Sequence, residues 1–131
     1  MIKVGDSAVI TNTVTEDKII LFAQASGDHN PLHLNEDYAN KSIFRKRVAH
    51  GMLSASFISA VLGTTLPGEG SIYLSQTLKF IKPVYINDTI TTEVSVVSIS
   101  NNIALLHTTC KNQEMQIVTK GEAKVLLPNK G

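Results

Sequence analysis

His50–Gly63, "HGMLSASFISAVLG", is apolar or small on nearly every side. A helix with this composition has no wet face, so the rest of the chain must enclose it. It cannot be enclosed by lipid, because Ser54, Ser56 and Ser59 interrupt it and it falls short of the ~20 apolar residues a bilayer requires. The flanking sequence shows what covers it.

Downstream, helical periodicity stops. Ser71–Tyr85, Thr89–Ser100, Ile103–Lys111 and Met115–Leu127 are rich in Val, Ile and Thr and read as strands. "PVYIND", "SNN" and "KNQE" separate them and read as hairpin-type connections, which predicts an antiparallel sheet. Upstream, Asp6–Val14 reads as a first strand. Thr15 of "TED" is a candidate N-cap, with Glu16 and Asp17 at the positive end of a helix. Ile19, Phe22 and Ala23 follow helical spacing, predicting a short helix that runs to about Ala25 and stops at Gly27. Asp28–Val48 is irregular, with one helical turn expected after Asn35. The order predicts a single α+β domain over residues 1–131, a curved antiparallel sheet wrapped around a buried central helix.

Composition narrows the function. Among 131 residues, twelve basic and eleven acidic side chains leave a formal charge of +1, mixed along the chain. That balance carries no nucleic-acid or membrane-surface footprint. The lone Cys110 excludes an internal disulfide and a cysteine-rich zinc site and suits a reducing, cytoplasmic setting. No N-terminal apolar stretch resembles a signal peptide. The glycosylation-like triplets at Asn40 and Asn87 are then chance matches.

Ahead of the central helix stands Ala25–His33, "ASGDHNPLH". One reading is an ordinary turn: Gly27 ends a helix, Asp28 caps local amides and Asn30-Pro31 bends the chain. The other is that Gly and Pro fix the backbone so that Asp28 and His33 converge. A carboxylate and an imidazole that share one water can exchange protons with it, as adding water across a carbon–carbon double bond requires.

"SGDHNPLHLNEDYA" resembles the signature of the R-specific enoyl-CoA hydratases, the MaoC-like dehydratase group of the hot-dog fold. It has the Gly-Asp-x-Asn-Pro-x-His core with a small residue, Ala39, six positions after His33. "VAHGMLSASFISAVLG", "LPGEGSIYLSQTLKFIKPVYINDTIT" and "GEAKVLLP" resemble the same family, so nearly the whole chain is covered. The resemblance implies reversible hydration of trans-2-enoyl-CoA to (R)-3-hydroxyacyl-CoA without a cofactor. By the same likeness Asp28 and His33 would activate the water, Ser56 would support the aspartate, and Asn30 would hold the turn. Gly51 would offer its backbone N–H to the thioester carbonyl, a role that suits a helix N-terminus. The family likeness also implies a homodimer.

Neighbouring readings are a dehydratase acting on acyl groups carried by acyl-carrier protein, and a non-catalytic acyl-CoA-binding subunit. Arg45, Lys46 and Arg47 lie between the turn and the helix and are the first candidates for the CoA phosphates; the alternative is a solvated loop. His29 and His33 have an i, i+4 spacing that metal ligands use, with Asp28 as a candidate third ligand, but Pro31 opposes a regular helix through them, and no metal is expected. His50 reads as a packed residue rather than a second base, and His107 as structural. Gly68-Glu69-Gly70 reads as a turn, and Cys110 has no flanking base to make it a nucleophile.

Overall fold

The computed structural model describes residues 1–128. Its elements run β1 (Ser7–Thr13), α1 (Glu16–Ser26), α2 (Pro31–Leu34), α3 (Glu36–Asn40), α4 (Gly51–Thr64), β2 (Ile72–Gln76), β3 (Lys79–Phe80), β4 (Thr89–Ser100), β5 (Ile103–Lys111) and β6 (Ile117–Leu126). The strands form one antiparallel sheet in the order β1-β4-β5-β6-β2, with β3 also pairing β6. The helix α4 packs against β1, β2, β4, β5 and β6, the hot-dog arrangement.

Alternation along the strands makes the inner face. Thr92, Val94 and Val96 of β4 stand opposite Cys110, Thr108 and Leu106 of β5, and all are buried. Leu106 and Ala104 in turn face Ala123 and Val125 of β6. Against this surface α4 lays Leu53, Phe57, Ile58, Val61 and Leu62. Burying a side chain such as Ile58, which has no exposed surface, is worth about 1.5–3 kcal/mol. Register shifts at Val96/Ser98 and Cys110/Lys111 add local bends and twist to the strands.

The caps act as the sequence predicts. Thr15 Oγ1 accepts from the Lys18 amide at 3.3 Å, and Gly27 ends α1 with φ of 81°. Asn35 caps the expected turn α3. Asn101 and Asn102 both take positive φ in the β4–β5 hairpin, which is why Asn recurs there.

Two expectations need correction. Ser71–Tyr85 is not one strand. It is interrupted after Gln76, where Gly121 of β6 lies so close that a Cβ there would fall 1.7 Å from the Thr77 carbonyl oxygen, and β3 is only two residues long. Nor is "PVYIND" a hairpin connection. β3 and β4 are not neighbours, and the segment crosses from one side of the sheet to the other. On the way it passes the start of α4, where the Ala49 amide donates to the Val84 carbonyl at 2.7 Å and Val48 bridges Tyr85. This crossing builds one wall of the site.

Candidate active site

At the N-terminal end of α4 lies a cavity of about 360 Å³, walled by Asp28, His33, Val48–Met52, Ser54 and the crossing segment Phe80–Val84. That size falls in the range of small-molecule sites. The Ala25–His33 turn is fixed by its own side chains. Ser26 Oγ donates to the Phe22 carbonyl at 2.7 Å and accepts from the Asp28 amide at 3.0 Å. Asp28 Oδ1 accepts from the Asn30 amide at 3.1 Å, and Asn30 Oδ1 from the Leu32 amide at 3.0 Å. Pro31 then starts α2, its missing N–H being one that a first helical position leaves unpaired anyway. Asn30 thus holds the turn, and Pro31 starts a new helix in place of one running through His29 and His33.

His33 is only 9 % exposed, and its Nδ1 lies 2.7 Å from the Val48 carbonyl oxygen. A carbonyl only accepts, so Nδ1 carries the hydrogen, and Nε2 is the nitrogen able to take up a proton. Burial lowers the His33 pKa below the ordinary imidazole value; the Val48 hydrogen bond opposes this, His50 adds to it, and Asp28 opposes it. Asp28, His33 and His50 each bring one ligating atom to within 4.8 Å of the others. Any metal-like trio here therefore involves His50, and His29 is not part of it.

His50 is packed, as expected from the sequence, but it is packed inside the site. Its ring stands 4.0 Å, centroid to centroid, from that of His33 and 4.9 Å from that of Phe22. Gly51 begins α4, with no side chain capping the helix, and lines the cavity. A Cβ at Gly51 would lie 2.9 Å from Phe80 Cδ1, so a larger residue would push into the cavity wall.

Two sequence expectations change. Ser56 does not reach the turn: it is exposed, and its hydroxyl donates to the Leu53 carbonyl. The serine that lines the cavity is Ser54, buried, with a hydroxyl that has no partner among the described residues. Two residues apart on a helix is a rotation of roughly 200°, so Ser54 and Ser56 face opposite ways. Arg47 is not a free cation. Its guanidinium grips both Glu16 oxygens at 2.7 and 2.8 Å, and its Nε donates to the His33 carbonyl at 2.8 Å. The pairing, chiefly its hydrogen bonds, lowers the Glu16 pKa.

Arg45 is exposed with φ of 62°, and the Lys46 ammonium lies 4.0 Å from the centre of the Tyr85 ring. Lys82 was not foreseen. It lines both the main cavity and an adjoining cleft that also contains Lys46 and Tyr85. Outside the site, His107 is exposed on β5 and lies 3.3 Å from Glu122. Cys110 is buried, which raises its pKa and leaves it unsuited to nucleophilic work.

A hot-dog fold with an Asp/His turn ahead of its central helix defines a class, and likeness to known proteins gives it a family. Residues 5–119 match the MaoC like domain, and the chain belongs to that family. It is 50% identical over 132 residues to an "(R)-specific enoyl-CoA hydratase" of Rhodospirillum rubrum, covering 99% of this chain and 91% of the relative. It is 36% identical to a mitochondrial "3-hydroxyacyl-[acyl-carrier-protein] dehydratase" of Arabidopsis thaliana, covering 98% and 80%. Among solved structures, R-hydratase PhaJ1 from Pseudomonas aeruginosa, unliganded, superimposes with a TM-score of 0.95 at 42% identity, covering 98% of this chain and 84% of that one.

Proposed function

We propose that this protein is an R-specific enoyl-CoA hydratase that adds water reversibly to trans-2-enoyl-CoA. The observation that carries the reading is the convergence of Asp28 and His33 in a cavity at the N-terminus of α4. In this mechanism one water is shared by the Asp28 carboxyl and His33 Nε2. Its oxygen attacks the β carbon, one of its protons passes to the pair, and a proton from the pair reaches the α carbon. The pair acts as a unit and ends the cycle in the protonation state in which it began. Meanwhile the thioester oxygen gains negative charge, which the Gly51 N–H and the positive end of α4 stabilise. Lys82 and Lys46 are the side chains offered to the CoA phosphates, with Arg47 occupied by Glu16.

The same reading includes a homodimer. Ile72, Tyr73 and Leu74 on the edge strand β2, with Phe80 and Ile81 beside the cavity, are exposed apolar side chains that a second copy would cover.

Absorbance of the enoyl thioester tests the reaction directly. Purified protein should bleach crotonyl-CoA without liberating thiol; thiol release would make it a thioesterase, and no change would leave only binding. The Arabidopsis relative supports a second reading, acyl-carrier-protein thioesters as substrate. A higher kcat/KM on crotonyl-ACP than on crotonyl-CoA would favour it.

A further inference from the structure

We infer that His50 is a positioning residue for the hydration reaction: its ring locks the Asp28 turn, the His33 imidazole and the helix start at Gly51 into one frame. The inference rests on the hydratase reading above. His50 Nε2 lies 3.0 Å from the Asp28 backbone oxygen. That oxygen only accepts, so Nε2 carries the hydrogen and donates it. The face of the same ring lies against His33, and the next residue in the chain is Gly51. A single side chain therefore touches the backbone of one catalytic group and the ring of the other, while its own backbone leads into the amide proposed to hold the thioester oxygen.

Packing alone does not account for a histidine here. The ring is 2 % exposed, and its Nδ1 has no hydrogen-bond partner among the described residues. An unpaired buried acceptor is unfavourable. Phenylalanine would fill this volume between Phe22 and His33 without one. What phenylalanine lacks is the N–H that the Asp28 carbonyl receives. Ser26, Asp28 and Asn30 shape the turn only internally, through contacts within Phe22–Leu32. The His50 bond ties that turn to α4, and hence fixes the distance between the activated water and the thioester carbonyl. Misplacing reacting groups by an ångström costs on the order of 10²-fold in rate.

The test compares two substitutions of nearly equal shape, His50→Gln and His50→Met, with Asp28→Asn as a reference, all on crotonyl-CoA. Gln keeps an N–H near the position of Nε2 and Met does not. With both variants folded by circular dichroism, kcat of the Met variant should fall about 10²-fold at a KM within a few-fold of wild type. The Gln variant should recover at least tenfold of that loss. Equal kcat in the two variants, high or low, would overturn the positioning role, because the donor would not matter. If Asp28→Asn is itself as active as wild type, the Asp/His mechanism fails instead, which separates the two conclusions.

Discussion

Asp28 and Asn30 each close a turn with a side-chain oxygen on the amide two residues ahead. An Asn at position 28 keeps that oxygen, so Asp28→Asn should leave the turn and the fold intact while removing the ability to take a proton. We expect kcat for hydration to fall by ~10² to 10⁴, the range for losing a general acid or base. KM should change little, His33→Ala should lose a comparable amount, and the double variant should be scarcely worse than either, since groups acting as a unit are not additive. A variant within a few-fold of wild type would reduce the turn to ordinary structure. The depressed pKa of His33 gives a second expectation. Between the folded and unfolded pKa values the unfolded chain binds more protons at this residue, so stability rises with pH across that window. His33 therefore contributes fully above the ordinary imidazole value near 6.5, and its contribution is lost as pH falls toward the lower folded value. Urea midpoints measured from pH 7.5 down to 5 should show this slope, and His33→Gln should flatten it; an unchanged slope would assign the pH dependence to other groups.

Elements whose residues are local in sequence were legible, and those made by distant contacts were not. Thr15, Gly27 and Asn35 announce helix ends through caps that act within four residues, and the composition of α4 alone requires enclosure. The break between β2 and β3 depends on Gly121, more than forty residues away, so Ser71–Tyr85 looked continuous. The turn's backbone hydrogen bonds to Asp28 and Asn30 were legible for the same reason as the caps. Ser54 could have been chosen over Ser56 from helical rotation, since it lies four residues from His50. Lys82 enters the site only because the chain crosses the sheet after β3, and Arg47 leaves the list of free cations only because α1 brings Glu16 beside it. Arg47 ties α1 to the end of α2, and a forked guanidinium does this where an ammonium cannot. Arg47→Lys should therefore lower stability by about 1 kcal/mol, because one partner is half-exposed. It should leave the salt dependence of KM for CoA substrates unaltered. Lys46→Gln with Lys82→Gln should do the reverse, raising KM and weakening its salt dependence at unchanged stability. If Arg47→Lys shifts KM and the lysine pair does not, the CoA assignment moves back to Arg47.

The whole molecule has one side that the described residues leave uncovered. The strand β2 bonds to β6 along one edge, while its other edge ends the sheet and has no strand partner among the described residues. Ile72, Tyr73 and Leu74 are consecutive and are 54%, 39% and 49% exposed, so neither face of this strand is buried. Phe80 and Ile81 continue the apolar strip to the rim of the cavity, where Met52 is also exposed. Soluble proteins blunt such edges with charge or bulges, or pair them. A bulge lies between Tyr73 and Ser75, but no charged residue interrupts Ile72–Gln76. Pairing β2 with β2 of a second copy would extend the sheet across a two-fold axis and bury the strip, and it would set the partner beside the cavity mouth. Ile72→Lys places a charge on that edge at a side chain the isolated fold leaves exposed, so it should weaken assembly without unfolding the protomer. Sedimentation at micromolar concentration should give a dimer for wild type and a monomer for the variant, with matching circular dichroism. Hydration of crotonyl-CoA should fall with the dimer fraction, since one wall of the acyl path would be missing. A wild-type monomer would overturn the pairing, and a fully active monomeric variant would show that each chain carries a complete site.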